Sequence, residues 1–349
     1  MDATSGLKAE PHEAPSEFDF GLVQPHSAFA AEDRWHIYEG DALTELDRVA
    51  DGSCKLVVTS PPYNIGKEYE RDKRLSLDEY LAWIDSVLEK TCKKISEDGH
   101  LCWQTGNFVD DGELFPLDLH FYSLIKKRGF KLRNRIVWHF NFGLNATRRF
   151  SGRYETLLWF TRGDEYTFNL DPVRVRQLYP GKRHPASKGS RAGQPSGNPK
   201  GKNPSDVWDF DPATAFALCP IWELPNVKAN HPEKTAHPCQ FPSELVERCV
   251  LAFTNPDDLI LDPFIGSGTT AIAALQHGRR AVGIDRDARY VQLARHRMEL
   301  LVEGELQTRP LGKPVRRPVA GEAVATLPEE WSEPLAGDDC GKAKEGEKT

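Results

Sequence analysis

The stretch Leu259-Ile260-Leu261-Asp262-Pro263-Phe264-Ile265-Gly266-Ser267-Gly268-Thr269-Thr270 decides the fold of this chain. Its first four residues predict a short buried strand, its glycines predict a tight turn, and its threonines predict the start of a helix. Ala281-Val282-Gly283-Ile284-Asp285 predicts a second buried strand that ends in an acid. Strands alternate with helical segments along most of the chain, which predicts an α/β domain with a mostly parallel sheet. A ligand is expected across the carboxyl ends of these strands.

Two kinds of ligand fit the glycine turn. The spacing of Gly266, Gly268 and Ala271 matches the fingerprint of dinucleotide cofactors such as NAD, although a single match of this kind is weak evidence. Asp262 stands just before the turn, where its charge would repel a pyrophosphate. The same charge suits a ligand with an amino group and a sulfonium, such as S-adenosylmethionine (SAM). Asp285 is placed to accept hydrogen bonds from ribose hydroxyls, or alternatively to cap the helix that follows. The pattern favours SAM and leaves NAD open.

The second chemical signal is Ser60-Pro61-Pro62-Tyr63, which directly follows the buried-strand pattern Lys55-Leu56-Val57-Val58-Thr59. The exocyclic amino nitrogen of a nucleobase is a poor nucleophile, because its lone pair is conjugated into the ring. A serine oxygen and a proline carbonyl can accept hydrogen bonds from that amino group, and prolines hold such a carbonyl in place. Tyr63 offers a face on which an extruded base can stack. The alternatives are a strand end interrupted by two prolines and a linker-borne ligand of a WW domain.

The charge of the chain is unevenly distributed. Its net charge is -7, but residues 1–34 carry seven acids and two bases, and residues 303–349 carry ten acids and seven bases. Residues 119–154 contain nine Lys/Arg and no acid, and residues 172–203 contain eight Lys/Arg and no acid. Local positive charge attracts nucleic acid, whereas the alternative is two solvated loops. The candidates for phosphate contacts are Arg148, Arg149, Lys182, Arg183, Lys188 and Arg191.

With these motifs in their order, the sequence resembles the β-group of amino DNA methyltransferases. In that group the (Asp/Ser)-Pro-Pro-Tyr motif comes first, a target-recognition region follows, and the SAM motif comes last. Lys234-Thr235-Ala236-His237-Pro238-Cys239-Gln240-Phe241-Pro242 resembles the segment before the SAM motif, Gly40-Asp41 the acidic turn near adenine, and Arg153-Tyr154-Glu155 the segment that closes the catalytic half. The resemblance covers about residues 35–300. It implies a Rossmann-like, circularly permuted methyltransferase fold with an inserted DNA-recognition region.

The resemblance also implies the chemistry and the residues that perform it. It places catalysis at Ser60, Pro61, Pro62 and Tyr63. Serine at the first position of this motif usually accompanies methylation of cytosine N4, and aspartate usually accompanies adenine N6. Cytosine N4 is therefore expected; the alternatives are adenine N6 and a nucleic-acid-binding protein without catalysis. The expected SAM contacts are Asp41, Gln240, Pro242, Asp262, Phe264, Gly266, Gly268, Thr269, Thr270 and Asp285.

The expected organisation has five parts. They are a disordered acidic arm (1–34), a catalytic half (35–165), a target-recognition region with a basic mobile loop (166–230), a SAM-binding half (231–302) and a disordered tail (303–349). The seven cysteines are scattered without metal-site spacing, so no metal is expected. No apolar run is long enough to span a membrane, and a cytoplasmic protein of a prokaryote or phage is expected. Its expected partners are double-stranded DNA, a second copy of itself, and a companion restriction endonuclease for the same site.

Overall fold

The computed structural model of this chain describes residues 34–64, 75–110, 112–140, 145–175, 177, 181–185, 189–208, 227 and 231–311. Its strands are β1 Trp35–Glu39, β2 Cys54–Thr59, β3 Ile95–Thr105, β4 Asn107–Asp110, β5 Glu113–Pro116, β6 Lys131–His139, β7 Tyr154–Thr161, β8 Val207–Trp208, β9 Leu259–Asp262 and β10 Arg280–Asp285. Its α-helices are α1 Ala42–Glu45, α2 Leu77–Lys94, α3 Leu117–Lys126, α4 Ser243–Phe253, α5 Thr269–Gln276 and α6 Ala288–Glu303. Among these residues, no helix is both long and apolar enough to cross a bilayer.

Eight strands form one sheet in the order β1-β10-β9-β2-β3-β7-β6-β8, and β4 and β5 form a separate hairpin. Within the large sheet only β7 runs antiparallel to its neighbours. This confirms the predicted mostly parallel α/β fold. Because β1, β2, β9 and β10 run in one direction, the loops that follow them leave the sheet at the same edge.

In the part of the chain that the structure describes, three helices cover each face of the sheet. Side chains alternate along β2, so that Leu56 and Val58 join one core and Val57 joins the other. The first core is completed by α4, α5 and α6, and the second by α1, α2 and α3. Burial of each large aliphatic side chain contributes about 1.5–3 kcal/mol, so the two cores hold the strand ends in fixed positions.

Helix α2 begins with a capping box formed by Ser76 and Glu79. The Ser76 hydroxyl accepts a hydrogen bond from the backbone N–H of Glu79 at 3.3 Å, and the Glu79 carboxylate accepts one from the Ser76 N–H at 2.9 Å. This reciprocal pair satisfies backbone donors that a helix start otherwise leaves without partners. The cap therefore fixes the residue at which α2 begins.

The described residues extend slightly beyond both ends of the predicted methyltransferase halves. Arg34 forms an ion pair with Asp257 at 2.5 Å, although the sequence predicts it to lie in the disordered arm. Helix α6 continues to Glu303, and the segment after it packs Leu306 against the core and buries Arg309. Residues 304–311 thus continue past the predicted boundary at 303 and are held by these few anchoring side chains, despite the Pro-, Gly- and acid-rich composition around them. Residues 1–33 and 312–349 lie outside the described residues.

The described part of the predicted basic loop has its own backbone pairing. Isolated antiparallel bridges join Val175 to Lys202 and Arg183 to Pro195. The Val175 N–H donates to the Lys202 carbonyl at 3.0 Å, and the Lys202 N–H donates back at 2.8 Å. Where it is described, the loop is therefore a folded excursion rather than a structureless one, since these bridges satisfy its backbone.

Candidate active site

A cavity of about 400 Å³ opens at the sheet edge where β1, β2, β9 and β10 end. Its volume is in the range of small-molecule and cofactor sites. The loops after all four strands contribute to its wall, and the first two turns of α2 contribute Tyr80 and Trp83. Eight of the residues predicted from sequence line it: Asp41, Ser60, Pro61, Pro62, Tyr63, Phe264, Gly266 and Asp285. The two motifs of the sequence, about 200 residues apart, thus face one space.

The loop after β2 is held by hydrogen bonds to its backbone. The Tyr80 hydroxyl donates to the Pro62 carbonyl at 2.7 Å. Asn64 has a left-handed backbone, with φ of 58°, and its side-chain amide exchanges two hydrogen bonds with the backbone of Leu75, at 2.7 and 3.0 Å. Prolines already restrict this loop, and these contacts leave it little further freedom. The backbone of the motif is therefore fixed beside the cavity, with its Pro62 carbonyl bound to Tyr80.

Side-chain hydrogen bonds connect the Ser60–Tyr63 motif to β3 and β7. The Tyr63 hydroxyl donates to Gln104 Oε1 at 2.6 Å, and Ser60 Oγ lies 3.1 Å from the same hydroxyl. Gln104 Nε2 donates to Glu155 Oε2, which is also 3.5 Å from the Tyr63 hydroxyl. Gly106 lets the tyrosine ring approach closely, since a β-carbon there would lie 3.2 Å from the ring. Sequence reasoning singled out the segment containing Glu155 but missed Gln104 and Gly106.

Gly266 and Gly268 have conformations that other residues rarely adopt. Their φ angles are 50° and 84°. A β-carbon on Gly266 would lie 3.0 Å from His237 Nε2, and one on Gly268 would lie 3.1 Å from the β-carbon of Ala294 in α6. Gly266 therefore lets the loop pass close to the cavity wall, whereas Gly268 lets α5 and α6 pack closely. Only the first of these two glycines lines the cavity.

Asp285 anchors the glycine loop and faces the cavity. Its carboxylate accepts a hydrogen bond from the Gly266 N–H at 3.0 Å and another from the Asp287 N–H at 2.9 Å. Burial raises the pKa of Asp285, and the two backbone donors oppose that shift. The cap of α6 is Asp287, whose carboxylate accepts from the Arg289 N–H. The helix-cap alternative for Asp285 is therefore wrong, and its position suits a ligand with hydroxyl donors.

Asp262 lies behind the cavity wall and is only 1% exposed. Its carboxylate accepts from the Thr59 hydroxyl at 2.5 Å, the Thr270 hydroxyl at 2.7 Å and the Phe264 N–H at 3.0 Å. Burial raises its pKa to about 6. The direct contact with a cationic ligand and the repulsion of a pyrophosphate stay predictions, because the carboxylate does not line the cavity and three donors of the protein occupy it. The acid joins the end of β2 to the glycine loop and so fixes the two motifs relative to each other.

Of the other predicted cofactor residues, some line the cavity and some lie outside its lining. Asp41 lines the cavity and caps α1 through a 2.8 Å bond from the Leu43 N–H. Gln240 lies behind the wall, where its amide donates to the Glu233 carbonyl at 2.8 Å and accepts from Thr235 at 2.8 Å. Buried positions behind the wall are also taken by Pro242 at the start of α4 and by Thr269 and Thr270 at the start of α5. These residues shape the loops that meet the cavity.

Aromatic residues that sequence reasoning did not assign to the site complete its wall. Trp83 packs against Phe264 with 5.6 Å between ring centroids, and His237 packs edge-on against Tyr290 at 4.5 Å. Burial lowers the pKa of His237 to about 4, so its imidazole is neutral at neutral pH. Tyr80 lies at helical spacing from other apolar residues, and this spacing predicts only that it is part of the core. In the structure Tyr80 belongs to the second core and also lines the cavity. The one sequence signal for Trp83 is its place one turn further along the same helix.

The predicted DNA-contacting residues occupy exposed positions where they are described. Arg148 and Arg149 lie in the segment between β6 and β7, which leaves the sheet at the cavity edge because β6 runs in the same direction as β2 and β3. The next residue, Phe150, is 100% exposed. The base of this segment is held by a 2.8 Å bond from the Phe140 N–H to the Arg153 carbonyl. Lys182, Arg183 and Arg191 are also exposed, and Lys188 lies outside the described residues.

Comparison with known proteins adds an independent line of evidence. A family described as DNA methylase matches residues 54–296. The chain is 44% identical over 269 residues to the type II methyltransferase M.BglII of Bacillus subtilis, covering 77% of this chain and 70% of that protein. Among solved structures, a DNA modification methylase of Thermus thermophilus complexed with SAM is 26% identical, with a TM-score of 0.51, over 77% of this chain and 95% of that one. The cytosine-N4-specific PvuII DNA methyltransferase has a TM-score of 0.56 at 20% identity, covering 80% and 94% of the two chains, a likeness of fold.

Proposed function

Since the chain belongs to the DNA methylase family that methylates adenine N6 or cytosine N4, we propose that its target is the N4 amino group of cytosine at a specific site in duplex DNA. SAM is the methyl donor of this family. The observation that carries the proposal is the position of Ser60 at the cavity, beside the fixed Pro61–Pro62 backbone. Ser60 at the head of the motif favours cytosine. Adenine N6 is the alternative, because both bases present the same kind of amino group.

The cavity fits SAM through its loops and its apolar wall. Asp41 and Asp285 place carboxylates at the ends of β1 and β10, where hydroxyl and amino donors of the ligand can be bound. The faces of Trp83 and Phe264 supply an apolar surface for the adenine ring, and Gly266 allows close approach of the backbone. When bound, SAM supplies an electrophilic methyl group on sulfur. This residue set replaces the NAD alternative, which rested on glycine spacing alone.

The catalytic loop is proposed to prepare the target nitrogen for attack. An extruded cytosine stacks on Tyr63, and its amino hydrogens are donated to Ser60 Oγ and to a carbonyl of the Pro61–Pro62 backbone. These acceptors draw the nitrogen lone pair out of conjugation, so that it can form a bond to the methyl carbon as the carbon–sulfur bond breaks. The nitrogen then loses one proton to solvent. Because the acceptors are fixed before the base arrives, little reorganisation is needed in the transition state.

DNA binding is proposed to involve the basic segments at the cavity edge. Arg148 and Arg149 carry positive charge on the same edge as the catalytic loop, where they can pair with phosphates beside the extruded base. Residues 166–230, with Lys182, Arg183, Lys188 and Arg191, are proposed to form the target-recognition region. Phosphate contacts position the protein, whereas base contacts in the groove select the sequence.

The experiment that tests the proposal is base-resolved mapping of methylation. DNA from cells that express the protein is compared with DNA from cells that express Ser60→Ala, and the modified nucleoside is identified by mass spectrometry. N4-methylcytosine at one recurring sequence, absent with Ser60→Ala, is the expected result. N6-methyladenine would instead establish the alternative target. No transfer of labelled methyl groups to any DNA would favour a binding protein without catalysis.

Assembly and cellular role follow from the same proposal. A modification enzyme protects DNA from an endonuclease with the same recognition sequence, so such a companion is proposed for this chain. A homodimer is also proposed. Light scattering of the purified protein tests the dimer, and cleavage resistance of the methylated DNA against a panel of endonucleases tests the protective role.

A further inference from the structure

A serine hydroxyl can donate or accept a hydrogen bond, yet the proposed mechanism uses Ser60 only as an acceptor. We propose that Gln104 and Glu155 are positioning residues that fix this polarity through the Tyr63 hydroxyl. The inference deepens the proposed function and rests on it. Neither residue lies on the cavity wall, and both act through the side chains that do.

The direction of these hydrogen bonds is set first by Glu155. Strands β3 and β7 pair antiparallel with Gln104 opposite Leu157, so Glu155, two residues away from Leu157, points to the same face as Gln104. A carboxylate only accepts hydrogen bonds, so the group of Gln104 that meets it must be the donating Nε2. This fixes the orientation of the amide and leaves Gln104 Oε1 toward Tyr63. Gln104 is 3% exposed, so water does not compete readily for its groups.

The polarity then passes to Tyr63 and Ser60. The Tyr63 hydroxyl has one proton and donates it to Gln104 Oε1 at 2.6 Å. With that proton committed, the 3.1 Å contact between Ser60 Oγ and the Tyr63 hydroxyl can form only if Ser60 donates. The Ser60 proton is thus directed away from the target, and lone pairs of Ser60 Oγ are left to accept from the amino group of the base.

Gly106 and Tyr80 hold Tyr63 in the position that this relay, the series of hydrogen bonds that joins Glu155 to Ser60, requires. A β-carbon at Gly106 would lie 3.2 Å from the Tyr63 ring, so the ring packs directly on the backbone that follows β3. The Tyr80 hydroxyl holds the Pro62 carbonyl at 2.7 Å, immediately before Tyr63. Tyr63 therefore has two tasks that can be separated: its ring stacks on the base, and its hydroxyl transmits the polarity set by Glu155.

A double-mutant cycle between Glu155→Gln and Ser60→Ala tests the relay. The amide of Glu155→Gln can present either a donor or an acceptor to Gln104, so Ser60 loses its enforced direction. We expect a roughly tenfold fall in kcat, the equivalent of about one hydrogen bond, with KM for SAM and for DNA changed by less than about twofold. In a protein that already carries Ser60→Ala, adding Glu155→Gln should lower kcat by less than about twofold, because the effect of Glu155 on kcat acts through Ser60.

The swap variant Q104E/E155Q is the matched rescue. It places the carboxylate at position 104, where it accepts from both Tyr63 and the new amide, so the direction of the relay is restored. It should recover most of the kcat lost in Glu155→Gln. Tyr63→Phe, which keeps the ring, should match Glu155→Gln and should not add to it. Calorimetric titration with SAM verifies that each variant is folded.

Two results would overturn the relay. One is an equal fall in kcat from Glu155→Gln with and without Ser60, and the other is a swap variant no better than Glu155→Gln. The cycle measures coupling and not base identity, so transfer to adenine N6 with the same coupling would support the relay while refuting the cytosine proposal. Full methyl transfer by Ser60→Ala would overturn both.

Discussion

Alanine at position 268 tests the close packing of α5 against α6 beneath the glycine loop between β9 and α5. Gly268 precedes α5 and has a φ of 84°, and a β-carbon at this position would lie 3.1 Å from Ala294 Cβ and 3.2 Å from Ala294 Cα. Two costs add in Gly268→Ala. A left-handed conformation costs a residue with a β-carbon about 1–2 kcal/mol, and overpacking against a helix typically costs about 1–3 kcal/mol. The free energy of unfolding should therefore fall by roughly 2–5 kcal/mol.

Gly278→Ala is the matched control, since it separates the two costs. Gly278 follows α5 with a φ of 73°, but a β-carbon added there would have nothing within 4 Å. It should lose only the conformational cost, about 1–2 kcal/mol. Urea unfolding measures both stabilities, and calorimetry measures SAM affinity. Only Gly268→Ala should weaken SAM binding, because only there must the helix that carries the loop move.

Equal loss of stability in the two variants would refute this reasoning. It would show that the approach of Gly268 to Ala294 contributes nothing beyond backbone conformation. Unchanged SAM affinity in a destabilised Gly268→Ala protein would separately show that the loop does not depend on this packing.

Three further predictions concern charge. Burial raises the pKa of Asp262 to about 6, so its contribution to stability is present below about pH 4 and is lost as pH rises through 6. Asp262→Asn should remove this loss, which amounts to up to about 3 kcal/mol in the free energy of unfolding measured with urea across that pH range. An unchanged pH dependence of stability in the variant would contradict this prediction. Burial lowers the pKa of His237 to about 4, so its contribution to stability is present above about pH 6.5 and is lost as pH falls through 4. His237→Asn should therefore reduce the fall in the free energy of unfolding between pH 6.5 and 4. His296→Asn, which changes an exposed side chain, is the control and should leave this fall unaltered. Replacing Arg148 and Arg149 with alanine should reduce the slope of log affinity for DNA against log salt by about 1.8 while SAM affinity stays constant, and an unaltered slope would exclude both phosphate contacts.

Local patterns predicted the framework of the site well, because each element carries its own signal. The buried strands before Ser60 and Phe264 appear in the structure where the sequence placed them. The loops after these strands meet at one edge because the strands are parallel. The edge could therefore be predicted from hydrophobic pattern and turn chemistry, and the eight predicted residues on it from these patterns together with the family resemblance.

Roles that depend on distant partners could not be predicted in this way. The sequence pattern assigns Asp262 to the ligand, but Thr59, 203 positions away, and Thr270 occupy its carboxylate. Gln104 carries no sequence signal at all, since its importance comes from its neighbours Tyr63 and Glu155. Hydrogen-bond partnership is decided by distances between side chains, which sequence spacing does not contain.

By itself, the sequence determined the α/β architecture, the two chemical motifs and the edge at which they meet, since periodicity, proline and glycine act over a few residues. Only the tertiary structure decided which groups face the ligand and which support it. It turned Asp262 inward, brought Trp83 and His237 to the wall, and aligned Glu155, through Gln104, with Tyr63. The reason is that burial and hydrogen-bond direction are properties of the packed chain, set where strands far apart in sequence become neighbours.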